Sequence, residues 1–212
     1  MANSWQRSTD NVINWPHGAT FGDGGTSSYT QVDSSGHLSL HGEAVVWDDQ
    51  QVNLGTVAKG VSAPTTQAYK NSQVLSFSAS QDNRVMFNMQ FSHKLKLNTA
   101  IEQHLHDTVP DNNAGLVAWK LTVSKADLGS TFPDETTYDS VQTIAANSLD
   151  MHLLHELTSD IGASSDVSAI AMCSLTRVGT STDDTYAAAV YLTAIDSHFQ
   201  IDTIGSNGET SK

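Results

Sequence analysis

In the stretch NRVMFNMQF the odd-numbered positions Val85, Phe87, Met89 and Phe91 are apolar, and Asn88 and Gln90 separate the later ones. Successive side chains of a strand point to opposite faces, so a period of two builds a strand with one buried side. The pattern returns at Val117, Trp119, Leu121 and Val123, with Lys120 and Thr122 between them. It returns again near the end, where Ile195, Ser197, Phe199 and Ile201 alternate with Asp196, His198, Gln200 and Asp202. QVLSFSAS has strand length, Leu38, Leu40, Val45 and Trp47 suggest further strand faces, and Gly42 marks a bulge or break. Roughly eight to ten strands fit between residues 37 and 203, with no long heptad or solenoid repeat. The fold class expected is all-β: an antiparallel β-sandwich or jelly roll, two sheets packed face to face.

The chain divides into an extended N-terminal arm over 1–36, a sandwich domain over 37–204 and a polar C-terminal tail over 205–212. Ordering each residue of a polar arm costs roughly 1–2 kcal/mol, so the arm is expected to pack on the body or on a neighbouring subunit. Trp5, Trp15, Phe21 and Tyr29 are aromatic without periodicity, which makes them candidate interface anchors or covers for the subunit's own core edge. VAKGVSAPTTQAYKN and LGSTFPDETTYDS are expected to be loops. Leu149, Leu153, Leu154 and Leu157 fit either a short strand or a short helix.

Charge narrows the partners. Lys and Arg number 10 against 23 Asp and Glu, a net charge of −13, with no basic cluster. A DNA- or RNA-facing surface needs a basic footprint, and an anionic membrane surface would repel this chain, so neither nucleic acid nor membrane is an expected partner. No apolar run approaches the ~18 residues of a membrane-spanning helix, and the first residues lack the charged-then-apolar order of an export leader. A single cysteine, Cys173, sits in the apolar run VSAIAMCSLTRV and reads as a buried, inert thiol.

The stretch IEQHLHDTVPDNNAGLVAWKLTV carries the most chemistry. On a strand over 101–108, Ile101 and Leu105 face the core while Glu102, His104, His106 and Thr108 share the other face. Two imidazoles and a carboxylate on one face are a candidate metal site, either within one chain or about a three-fold axis shared by copies. Otherwise these rings pack, hydrogen-bond across the sheet or line a subunit contact. Cupin enzymes use a His-x-His strand in a jelly roll, but Pro110 and Asp111 stand where their glutamate would follow, and a third histidine is not placed. TVPDNNAG reads as the turn of a hairpin joining this strand to the next. Asp48 and Asp49 are adjacent, hence on opposite strand faces and poorly placed as an acid–base pair. G-x-S-x-G, P-loop, G-x-G-x-x-G and CxxC patterns do not occur.

Three patches resemble a family of tailed-bacteriophage virion structural proteins. GEAVVWDDQQVNL resembles its VWDD opening. MFNMQFSHKLKLNTAIEQHLHD resembles a Q-x-x-H-x-y-K segment followed by PHxHW, and AAVYLTAIDSHFQIDTIGSNGETSK resembles an ending of the form FDxHYxxDxxGSxxExxK. The resemblance covers residues 43 to 212 in patches. Gln103 replaces the proline of the pattern, and Asp107 replaces its tryptophan. The resemblance implies a non-enzymatic virion protein, made in the host bacterial cytoplasm and assembled onto the particle, with a capsid decoration or cement role first. Its partners would be other copies, as a dimer or trimer, and the major capsid protein; no cofactor is implied, and a structural metal ion at the His-x-His strand remains only the alternative that the residues themselves raise. A tail, collar, fibre-attachment or receptor-binding module is the second reading, and a metal- or sugar-binding jelly roll using Glu102, His104 and His106 the third.

Overall fold

The alternating stretches fold as strands with their apolar sets turned inward. The computed structural model describes residues 6–7, 13–14, 17–23 and 27–212. β1 (Gln6–Arg7) pairs with β2 (Ile13–Asn14). β3 (Ala19–Gly22), β4 (Tyr29–Val32) and β5 (Leu38–His41) form an antiparallel meander. A 3-10 turn at Gly42–Ala44 leads to β6 (Val46–Gln51), β7 (Ala58–Lys59), β8 (Thr65–Tyr69) and β9 (Ser72–Phe77). β10 (Asp82–Gln90), β11 (Ile101–Thr108), β12 (Gly115–Ala126) and β13 (Thr136–Ile144) follow. β14 (Leu153–Thr158), β15 (Ile170–Val178) and β16 (Val190–Ile201) complete the order.

The last eight strands define the topology. One sheet runs β14-β11-β16-β9-β8, with β6 also paired to β16; the other runs β13-β12-β15-β10-β7. Counted from β9 to β16, the first strand pairs with the eighth, the second with the seventh, the third with the sixth and the fourth with the fifth, all antiparallel. A long two-stranded ribbon rolled around a core gives this pairing, and that is a jelly roll.

The core lies between the sheets. Val85, Phe87 and Met89 of β10 meet Ile101 and Leu105 of β11, Val117 to Val123 of β12, and Ile195 and Phe199 of β16. The rings of Phe77 and Trp119 meet edge to face at 5.4 Å, and those of Phe91 and Phe199 at 6.1 Å. Each such side chain contributes about 1.5–3 kcal/mol on burial. One charge is buried with them. Arg177 is fully buried and forks onto Asp184 at 2.7 and 2.9 Å, and it donates to the carbonyls of Phe77, Ala188 and Tyr186. All its donors point at acceptors, which is the condition for holding a guanidinium in an apolar core.

Three expectations change, and one open alternative is decided. β11 and β12 are not a hairpin: they belong to different sheets, and residues 109–114 arch between them. Both apolar faces address one core from opposite sides, and the segment beyond Val109 is held elsewhere, through Asp150 N to Val109 O and Asn147 N to Asn112 O. Residues 153–158 are strand, not helix, because Leu153 and Leu157 share the inward face opposite β11. Both expected loops contain strands: β7 and β8 in one, the start of β13 in the other. The N-terminal segment is not extended throughout, since residues 19–41 are the meander, fastened to the body through Leu40 N to Asp202 O and Thr203 Oγ1 to Leu38 O. The C-terminal tail also lies on the body: Lys212 bonds Asp202 and the carbonyl of Leu95, and Ser206 bonds His93 at 2.5 Å. No helix among the described residues is long and apolar enough to cross a membrane.

Candidate functional site

β11 and β16 lie side by side in the middle of one sheet, in a register that sets Glu102 opposite His198, His104 opposite Asp196 and His106 opposite Ala194. β6 joins the far side of β16, with Asp49 opposite His198 and Trp47 opposite Gln200. β14 flanks β11 and sets Glu156 opposite His104. The outward residues of the four strands thus form one continuous face.

Asp196 anchors that face. Its side chain is only 4% exposed although it points outward, because His104 and His106 close over it. His106 Nε2 lies 2.9 Å from Asp196 Oδ2, and His106 Nδ1 lies 2.8 Å from His152 Nε2. A neutral His106 that donates to Asp196 accepts from His152, so the three groups form a satisfied chain. His104 has longer contacts, 3.6 Å to Asp196 Oδ1 and 3.5 Å to Glu102, and Asp196 Oδ1 has no hydrogen-bond partner. His198 accepts a flat stack from Trp47, with centroids 4.5 Å apart and planes within 3°, and its Nδ1 lies 2.5 Å from Asp49. Its ring also leans toward His104 at 5.4 Å.

Glu102, His104 and His106 do share one face, as their spacing predicts, but they do not converge as a metal site. Among the described residues no group of three or more His, Cys, Asp or Glu side chains is placed to hold an ion. Here each ring is turned toward its own protein partner instead.

The other candidates are dispersed. Trp5 and Trp15 lie outside the described residues. Phe21 is 51% exposed on β3, and Tyr29 stacks on His41 at 4.3 Å within the meander. Cys173 is buried, and burial pushes its thiol up to about 12, so it is not a thiolate at neutral pH. Asp48 and Asp49 sit within β6 and part to different partners, Lys94 and His198. A trough of about 330 Å³ between Met86, Met172, Arg84 and Glu135 lies on the other sheet, away from the histidines.

The inward side of β11 holds what the sequence did not disclose. Gln103 and Asp107 are fully buried in the core, and Gln103 Oε1 and Asp107 Oδ2 have no hydrogen-bond partner. Gln142 of β13 donates to Asp107 Oδ1 at 3.1 Å and accepts from the Trp119 indole at 2.9 Å, tying the two sheets together. Burial pushes the Asp107 carboxyl up to about 7, against the opposing pull of Gln142 and Arg177. These are the two positions where the chain departs from the PHxHW pattern. Strand parity alone places Gln103 and Asp107 with Ile101 and Leu105, and that was the available signal.

No family model matches this chain, and no curated protein does. Among solved structures, a chain from the infectious bursal disease virus Gx strain structure aligns with 86% of this chain and half of its own length, at 11% identity and a TM-score of 0.24. A likeness that distant carries no argument about function.

Proposed function

We propose that this chain is a non-enzymatic structural protein of a bacteriophage particle, acting as a capsid decoration protein that binds through its surfaces. One observation carries the reading: patches of the virion-protein pattern, far apart in sequence, meet in space. Trp47 and Asp49 from VWDD, His104 and His106 from the histidine strand, and Asp196 and His198 from the ending stand on neighbouring strands of one face. Other pattern residues also touch: His93 bonds Ser206, and Lys212 bonds Asp202, while Gln90 and Lys96 bond the neighbouring Gln50 and Gln200 of the other two patches. That the patches lie close together in the fold supports the reading. The histidine face is a largely polar sheet surface on which, among the described residues, no three His, Cys, Asp or Glu side chains are placed to hold an ion, a form suited to contact between large surfaces.

The test is quantitative mass spectrometry of purified mature particles. A decoration protein is present in hundreds of copies, whereas a tail, collar or fibre-attachment protein is present in about three to eighteen by the symmetry of closed rings. The second number would move the protein to the tail, and absence from mature particles would end the virion reading altogether. Treatment with a chelator, followed by sizing and thermal melting, tests the shared three-fold metal; unchanged profiles would remove it.

A further inference from the structure

We infer that the outward face of β14, β11, β16 and β6 is a docking surface for an arginine-bearing segment of a partner protein. Four carboxylates stand on it, Glu156, Glu102, Asp196 and Asp49, and no outward position of these strands holds Lys or Arg. A face of that composition, on a chain of net charge −13, complements a cationic partner.

One further observation specifies the chemistry. Trp47 is 45% exposed although one side of its ring is stacked on His198, so the indole offers a π surface at the edge of the carboxylate row. A guanidinium stacks on indole more readily than a compact ammonium does, and it binds carboxylates with two parallel hydrogen bonds. Asp196, closed over by His104 and His106, adds its charge to this side from beneath, and Asp49, Glu102 and Glu156 are the carboxylates open to a partner. Neighbouring strands are about 4.8 Å apart, so an extended segment laid across them meets Asp49 and Trp47 at one end and Glu102 and Glu156 at the other.

The inference deepens the assembly reading and rests on it only for where the partner is found. The two are tested separately, that reading by particle composition and this one by binding in solution. Calorimetric titration of the full chain would use a short amidated peptide of alternating arginine, glycine and serine, and the same peptide with citrulline for arginine. Saturable binding of the arginine peptide, at least about tenfold stronger than of the citrulline peptide, is expected. Trp47→Ala and Asp49→Asn should each weaken it about tenfold, and Trp47→Phe less, while Asp134→Asn with Glu135→Gln, which removes two charges elsewhere, should leave it unchanged. Each variant's melting curve checks that it is folded. Equal weakening by the distant pair would show nonspecific attraction and overturn the proposal. So would citrulline binding as well as arginine, or neutral oligosaccharides saturating the face while the arginine peptide does not.

Discussion

Asp107 is the residue whose chemistry reaches furthest into stability. Its carboxyl lies in the core with one oxygen unpartnered, and its pKa rises from 3.8 to about 7. The native chain therefore holds this proton more tightly than the unfolded chain does. Below the ordinary carboxylate range the group costs nothing; as pH climbs toward 7 stability is lost, and above 7 the whole cost is present. Asp107→Asn removes the charge and keeps the shape. It should stabilise by up to ~4 kcal/mol at pH 8, from about three units at 1.36 kcal/mol each, and by little at pH 4. Urea unfolding of both proteins at the two pH values reads the difference; an equal gain at both would refute the linkage. On the opposite side of the same strand, His106→Ala strips Asp196 of its 2.9 Å partner. A loss of about 2–3 kcal/mol is expected, with His106→Gln recovering part of it by keeping a donor. Thermal melts of the two variants decide, and indistinguishable values would mean the contact is incidental.

At the scale of elements, the close approach of β12 to residues 184–188 is decisive. A Cβ on Gly115 would lie 2.6 Å from the Tyr186 Cα, and both Thr185 N and Tyr186 N donate to the Leu116 carbonyl there. Gly115→Ala should cost about 1–3 kcal/mol, whereas Gly129→Ala, with nothing near it but a φ of +78°, tests backbone strain alone. A melting temperature unchanged in the Gly115 variant would show that the segment yields. The same comparison explains what could be read from sequence. β10, β12 and β16 announced themselves because one face is apolar and the other polar. β8 did not, because its residues are nearly all exposed and offer no alternation. The leucines of β14 fit two periods at once, and only the pairing with β11 chooses. The hairpin expected at 101–123 failed because consecutive strands of a rolled ribbon mostly change sheets, and β12 with β13 is the pair in this stretch that does not. The outward face of β11 was legible in full. Its meaning was not, since Asp196, His152 and Trp47 arrive from distant strands.

For the whole molecule, the jelly roll and the N-terminal meander are separable. The core cluster begins at Leu75, with Val52, Leu54 and Val57 packed against it, and takes nothing from residues 19–41. A chain starting at residue 42 should keep its strand circular-dichroism signal and a cooperative unfolding transition, losing surface bonds such as those to Asp202, Thr203, Asn207 and Glu43. If the virion reading holds, the same truncation should bind particles weakly in a co-sedimentation assay. Undiminished binding would take the N-terminal segment out of the interface and leave it to the sheet face.

The order of the strands also bears on how the protein is made. β16 leaves the ribosome after β1 to β15, yet it occupies the middle of its sheet, between β11 on one side and β9 and β6 on the other. Until it is synthesised, those neighbours face an empty slot lined with unpaired amides. A chain interrupted in translation thus lacks the seam on which the histidine face is built, and its open edges mark it for chaperones and proteases.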